Sequence, residues 1–293
     1  MRIAAIDIGG TAIKYGLSDE FGNITNTGER PTEAKIGGGQ GVMDKVMEIL
    51  ASLAPFDRVG VSTGGVVNVK EGSIHYANEN IPGYTGIRIK DNIQAVYPVP
   101  VAVLNDVHAA AVGEAIYGAG RGVDNFLCLT YGTGVGGAIY ADGKLLTGRC
   151  GAAGHLGHII IHSDNGKPCG CGNFGCYESY ASVTALCALM KERTGETLNG
   201  RQIFARLDEP VIAKGLSDWI DEIVLGLVSL IQAFDPECVI MGGGIFSEEL
   251  LMGEIRKRVD AKVMPILRGV KLVRAELSNN AGMLGAVHTV LQV

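Results

Sequence analysis

The sequence has no excess of positive charge: 25 lysines and arginines stand against 31 aspartates and glutamates, for a formal net charge of -6. That balance argues against a general nucleic-acid-binding surface. No apolar run approaches the length of a membrane span. The first apolar run, Ile3 to Ile8, is short and contains Asp7, so it does not read as a secretory signal. With no export signal and an odd number of cysteines, 7, a cytoplasmic protein is expected. Linkers and low-complexity segments are missing too, so the 293 residues should form two ordinary domains or one large one. What the chain has in quantity is glycine, 43 residues, and several of them cluster around reactive side chains.

The densest such cluster is GHLGHIIIHSDNGKPCGCGNFGCYE, Gly154 to Glu178. His158 precedes Cys169, Cys171 and Cys176, and three thiolates with one imidazole complete a tetrahedral set for structural zinc. Gly170, Gly172 and Gly175 let a short loop wrap sulfurs around one point. Buried reduced cysteines or a redox pair are the competing readings, but a Cys-x-Cys pair does not easily close an unstrained disulfide. Cys128, Cys150, Cys187 and Cys238 are scattered and read as reduced residues in or near the core. Glu178 follows the last cysteine of the cluster by two positions, so a metal that orders the loop also places a carboxylate near His155 and His158.

Two segments share one design. IAAIDIGGTAIKYGL, from Ile3, and FLCLTYGTGVGGAIY, from Phe126, each read as strand, glycine turn and strand, about 120 residues apart. A short third strand should follow each, near Gly22-Asn23 and Ala141-Asp142-Gly143. The rest predicts a helix over Val42–Leu53, strands at Arg58–Ser62 and Val99–Leu104, and a helix over Val107–Tyr117. A broad apolar helical face runs from Trp219 to Phe234, then comes a strand at Val239–Met241. The last helix, Ala281 to Leu291, should pack back on the first half. Together these predict a duplicated α/β protein, with residues 1–117 plus 281–293 as one domain and 118–280 as the other. The cleft between the halves is the expected ligand site.

Three glycine turns follow predicted strands: Gly9-Gly10-Thr11, Gly132-Thr133-Gly134 and Gly242-Gly243-Gly244. Such turns can aim several amide N–H groups at one phosphate. One alone is weak evidence, since most are only tight turns. Thr11 and Thr133 add hydroxyls, Lys14 can reach a phosphate oxygen, and Asp7 is placed to hold the water shell of Mg²⁺. The GxxxxGK[ST] pattern is absent, and the first turn joins two strands where the dinucleotide fingerprint needs a helix. Asn105-Asp106 lies where a buried strand meets a helix. Asp106 could be only a helix N-cap. In the functional reading it accepts a proton from a substrate hydroxyl during phosphoryl transfer, while His108 is structural.

DIGGTAIK, LNDVHAAAVGE, YGTGVGG, the histidine–cysteine segment and MGGGI together resemble the ROK sugar kinases over essentially the whole chain. The resemblance implies an actin-like, ribonuclease-H-like duplicated fold, and transfer of the γ-phosphate of ATP, with Mg²⁺, to a hexose hydroxyl. By position, Asp106 looks like the base. Asn105, His158 and Glu178 look like sugar contacts, with His158 also a zinc ligand, and Gly65 falls in a loop that approaches the sugar. Gly10, Thr11, Lys14, Thr133 and Gly242 to Gly244 look like nucleotide contacts. The family also implies a homodimer. Most members carry a glutamate where His155 stands; the histidine, and Ser-Thr-Gly at Ser62 to Gly64, resemble the bacterial N-acetylmannosamine kinases. An imidazole donates as well as accepts, which favours a sugar other than glucose at this contact. Glucose, β-glucosides, fructose and N-acetylglucosamine stay open. The family's repressors carry an N-terminal helix-turn-helix domain, and a first strand starting near Arg2 leaves no room for one, so an enzyme is expected.

Overall fold

The computed structural model describes residues 1–293. It divides into two compact units: Met1–Gly122, Lys144–Ala153 and Glu276–Val293 form one, and Val123–Gly143 with Gly154–Ala275 the other. The first unit begins with β1 (Ile3–Ile8), β2 (Ala12–Ser18), β3 (Ile24–Pro31), α1 (Ala34–Leu53) and β4 (Arg58–Thr63). A small hairpin, β5 (Val66–Asn68) and β6 (Ser73–Tyr76), leads to α2 (Ile89–Gln94), β7 (Val101–Asn105) and α3 (Asp106–Tyr117). The sheet order is β3-β2-β1-β4-β7, with the first three strands antiparallel and β1, β4 and β7 parallel. These parallel strands are almost wholly buried, which is why they read as apolar runs without alternation. Their register sets Asp7 beside Ser62 and Thr63 beside Asn105, so the polar residues gather at the C-terminal strand ends.

In the second unit, β8 (Phe126–Tyr131) and β9 (Val135–Ala141) form the second hairpin; the short β10 (Lys144–Leu145), past the Asp142-Gly143 turn, falls in the segment assigned to the first unit. Then come α4 (Glu178–Ala181), α5 (Val183–Thr194), α6 (Gly200–Phe204), α7 (Pro210–Phe234), β11 (Cys238–Gly242), α8 (Glu249–Lys262) and β12 (Lys271–Arg274). Within this unit the strands run β9-β8-β11-β12. Helix α7 buries Ile212, Leu216, Trp219, Ile223, Leu227, Leu230 and Ile231 at helical spacing, and the Trp219 indole donates to the Ser182 carbonyl at 3.0 Å. Full burial of each such side chain stabilises by about 1.5–3 kcal/mol, enough to order this long helix by packing alone. It is longer than its apolar face predicts, with Pro210 at its first turn, where a missing N–H costs nothing. No helix is long and apolar enough to cross a membrane.

The last helix, α9 (Ala281–Leu291), falls in the first unit, and its Met283, Val287 and Val290 pack with Ile3, Ala5 and Ala102. Glu114 of α3 is fully buried and accepts the backbone N–H groups of Ala119, Glu276 and Leu277 at 2.8, 3.1 and 2.9 Å. Three donors offset the cost of burying a carboxylate and fix the segment that leads into α9. Two local expectations are corrected, and one is extended. The helix predicted from Val42 begins at Ala34 and is broken at Gly38. The strand predicted to end at Ser62 runs one residue further, to buried Thr63, and the turn starts at Gly64. The N-cap of α3 is Asn105, not Asp106.

Candidate functional site

That last correction releases Asp106 from the bland reading. The Asn105 amide oxygen accepts from the N–H groups of Val107 and His108 at 3.0 and 3.1 Å, the N-cap geometry worth about 1 kcal/mol. Its amide nitrogen donates to the Gly65 carbonyl at 3.0 Å and to Asp106 Oδ1 at 2.8 Å. Asn105 is thus committed to holding Asp106 and the Gly64-Gly65 turn. Gly65 has a φ of 92° and an added Cβ would come 2.9 Å from the Tyr76 carbonyl oxygen, so the turn needs glycine. Asp106 keeps a solvent-exposed face, yet protein atoms crowd its carboxyl. That crowding, reinforced by the Asp7 charge and opposed by hydrogen bonds from Val107 and Asn105, pushes the carboxyl up to about 6. A carboxylate with that affinity for protons is a competent general base near neutrality.

Asp7 sits at the end of β1, half-buried, and Ser62 donates to its Oδ1 at 2.6 Å. Burial raises its carboxyl, and the Ser62 hydrogen bond and the Lys14 charge oppose that rise. Lys14 lies across the β1–β2 register from Asp7, where its charge acts on that carboxylate. The first glycine turn is closed by the Gly9 N–H on the Ala12 carbonyl at 3.0 Å and tied to Thr32, whose hydroxyl donates to the Gly9 carbonyl at 2.6 Å. Gly10 and Thr11 stay exposed. In the second unit, β8 pairs with β11 so that Gly242 stands opposite Thr130, which sets the Gly132–Gly134 and Gly242–Gly244 turns side by side. Gly132, Thr133, Gly243 and Gly244 are exposed there. The Gly132 carbonyl accepts the first N–H of α5, from Val183, at 3.0 Å.

The four residues of the histidine–cysteine cluster come together. One donor atom each from His158, Cys169, Cys171 and Cys176 lies within 4.8 Å of all the others. His158 Nδ1 is 3.6 Å from the Cys169 sulfur, and the Cys171 and Cys176 sulfurs are 3.6 Å apart. Zinc bonded at ~2.3 Å to sulfur and ~2.0 Å to nitrogen in a tetrahedron spans edges of about 3.5–3.8 Å. The donor set therefore fits zinc. Glu178 bridges this group and the second glycine turn: its Oε1 is 3.2 Å from the Cys169 sulfur and 3.7 Å from His158 Nδ1, while its Oε2 accepts from the Val135 N–H at 3.4 Å. An added Cβ on Gly134 would stand 2.4 Å from Glu178 Oε2, so that glycine makes room for the carboxylate. His155 is half-buried, with its ring nearly parallel to that of His158 at 6.3 Å between centroids.

Some supporting residues had no sequence signal. Ser62 on β4 donates to Asp7 beside the first turn, and Thr32, just past β3, ties down Gly9. The Tyr84 hydroxyl is 2.7 Å from that of Thr63, beneath the Gly64-Gly65 turn. Buried His108 places Nε2 2.8 Å from the Ala153 carbonyl oxygen, in line with a structural role.

A model of the ROK family matches residues 3–293. The β-glucoside kinase of Listeria monocytogenes is 34% identical over 301 residues, covering 100% of this chain and 98% of its own. Among solved structures, a Listeria monocytogenes protein described as a candidate N-acetylmannosamine kinase has a TM-score of 0.90 at 32% identity, over 100% of this chain and 99% of that one. A ROK family glucokinase from Streptomyces griseus, in complex with glucose and AMPPNP, has a TM-score of 0.86 at 32% identity, over 100% of both chains. With near-complete coverage by the family model and by these relatives, the chain belongs to the ROK family, and its paired α/β units are the actin-like fold of the ROK sugar kinases.

Proposed function

We propose that the protein is an ATP-dependent sugar kinase that transfers the γ-phosphate to the 6-hydroxyl of a hexose, with N-acetylmannosamine the favoured acceptor. The observation that carries the reading is Asp106: a carboxyl raised to about 6, held by Asn105 at the end of β7, in a chain of the ROK family. Asp106 takes the hydroxyl proton as the sugar oxygen bonds to the γ-phosphorus. The bond from that phosphorus to the β–γ bridging oxygen breaks, and ADP leaves. Gly65, Asn105, His155, His158 and Glu178 are the proposed sugar contacts, with Asn105 acting in part through Asp106. Asp7, Gly9, Gly10, Thr11 and Lys14 are proposed on the nucleotide side, with Gly132, Thr133, Gly134 and Gly242 to Gly244. Asp7 would hold Mg²⁺ through its water shell, and the ion would offset phosphate charge. Structural zinc on His158, Cys169, Cys171 and Cys176 would keep the His158 ring and Glu178 in place.

N-acetylmannosamine is favoured by His155, and by likeness to the Listeria protein described as a kinase of that sugar. Glucose and β-glucosides are the alternatives, named for the other two relatives. A homodimer and a cytoplasmic setting complete the proposal. Sugar-dependent ADP release across a panel of N-acetylmannosamine, glucose, β-glucosides, fructose and N-acetylglucosamine is the test. N-acetylmannosamine should give the highest kcat/KM; no release with any hexose would sink the kinase reading.

A further inference from the structure

The second unit contains a cavity of about 480 Å³ that Thr133 of the glycine turn shares with Cys169 and Glu178 of the metal segment. Lys167 is the one cation in its wall, where Glu178 and Glu192 supply the negative charge. The lysine is held at both ends. Its backbone N–H donates to the Tyr180 hydroxyl at 2.6 Å, and its ammonium lies 4.9 Å from the centre of the Tyr180 ring. The same ring packs on His162 at 4.3 Å between centroids, and His162 Nε2 is 2.7 Å from Glu222 of α7. A chain of contacts from α7 through His162 and Tyr180 thus fixes where Lys167 stands.

We infer that Lys167 is a contact for the nucleotide's phosphates, a role that rests on the kinase reading. Phosphoryl transfer depends mainly on positioning and charge neutralisation. The glycine turns offer amide dipoles and the Thr133 hydroxyl offers one donor, but neither carries a full charge. Lys14, the cation expected to do so, lies beside Asp7 and is partly answered there. Lys167 shares a cavity with Thr133 and has only an aromatic face against its ammonium, which holds a cation without neutralising it. An ammonium already positioned loses less side-chain entropy on meeting an anion.

The competing role is mechanical, with Lys167 merely stapling the metal loop to Tyr180. Calorimetric titration separates the two, using MgADP and adenosine on the wild type, Lys167→Met and Lys167→Arg. Methionine keeps most of the stem on the Tyr180 ring and removes the charge. Lys167→Met should weaken MgADP about tenfold, the size of one charge-assisted hydrogen bond, and leave adenosine binding and zinc content unchanged. Lys167→Arg should restore most of the loss. Unchanged MgADP affinity in Lys167→Met would overturn the inference, as would equal weakening of both ligands or loss of zinc. Wild-type turnover on the sugar panel decides the kinase reading separately.

Discussion

The two glycine hairpins, β1–β2 and β8–β9, share a strand–turn–strand plan and differ in where their charge comes from. The first carries its own: Asp7 and Lys14 face each other in register, and Ser62 and Asp106 stand at the ends of neighbouring strands. The second hairpin has Thr130 opposite Gly136 at the corresponding depth and no charged residue from Phe126 to Ala141. Its carboxylate is imported, since Glu178 arrives from beyond the cysteine cluster and reaches the Val135 N–H. Duplication thus supplies two similar turns, but under the proposed function acid–base chemistry would belong to the first and metal-ordered contacts to the second.

Removing charge from each side should expose that asymmetry. Asp106→Asn should lower turnover by roughly 10²–10⁴ while sugar binding persists, because it removes a proton acceptor and keeps the shape. Near-normal turnover would exclude Asp106 as the base. In the wild type, Asp106 is ionised above its pKa of about 6 and protonated below it, so kcat/KM should fall as the pH drops through that value. A pH profile flat between 5 and 8 would contradict the assignment; Asp7 lies close enough that any apparent pKa belongs partly to the pair.

On the second side, Cys171→Ser should lose zinc, followed by elemental analysis, and raise the sugar KM by roughly tenfold or more as Glu178 and the His158 ring lose their anchor. Wild-type protein purified without any zinc would remove the basis for this. Smaller effects should separate the two turns. Gly134→Ala pushes on the Glu178 carboxylate, whereas a Cβ on Gly10 meets nothing within 4 Å. The sugar KM should therefore rise several-fold in Gly134→Ala, in keeping with roughly 1 kcal/mol of displaced contact, and hold steady in Gly10→Ala, where any change should fall on ATP. Equal sugar effects from both would mean that Glu178 does not couple that turn to the sugar.

What was legible in the sequence follows the same division. β1, β8 and α9 could be read from their apolar runs and glycines, and the metal group from ligand spacing, because neighbours along the chain decide those features. Helix α8 went unread although Leu251, Met252, Ile255 and Val259 recur at helical spacing, since charged residues between them mask the stripe. Asp106 reads in the sequence equally as a cap or a base, and the structure gives the cap to Asn105. The partnerships of Ser62 with Asp7, Thr32 with Gly9 and Lys167 with Tyr180 depend on strand register or loop folding, which no local pattern records.

His155 is the finest point on which the two sides differ, because it concerns choice and not rate. On the proposed reading, Asp106 serves as base whatever the acceptor. His155 stands beside His158, with 6.3 Å between ring centroids, where the family resemblance implies a glutamate in most members. A carboxylate there only accepts hydrogen bonds from hydroxyls, whereas an imidazole can also donate to an acceptor such as an amide carbonyl. His155→Glu should therefore move the ratio of kcat/KM for glucose over N-acetylmannosamine upward by about tenfold, one neutral hydrogen bond's worth, with the Asp106 pH limb unmoved. An unchanged ratio would mean that selection lies elsewhere along the second unit's contacts. A shifted pH limb would mean that the histidine speaks to the base, and the separation of roles between the two hairpins would have to be given up.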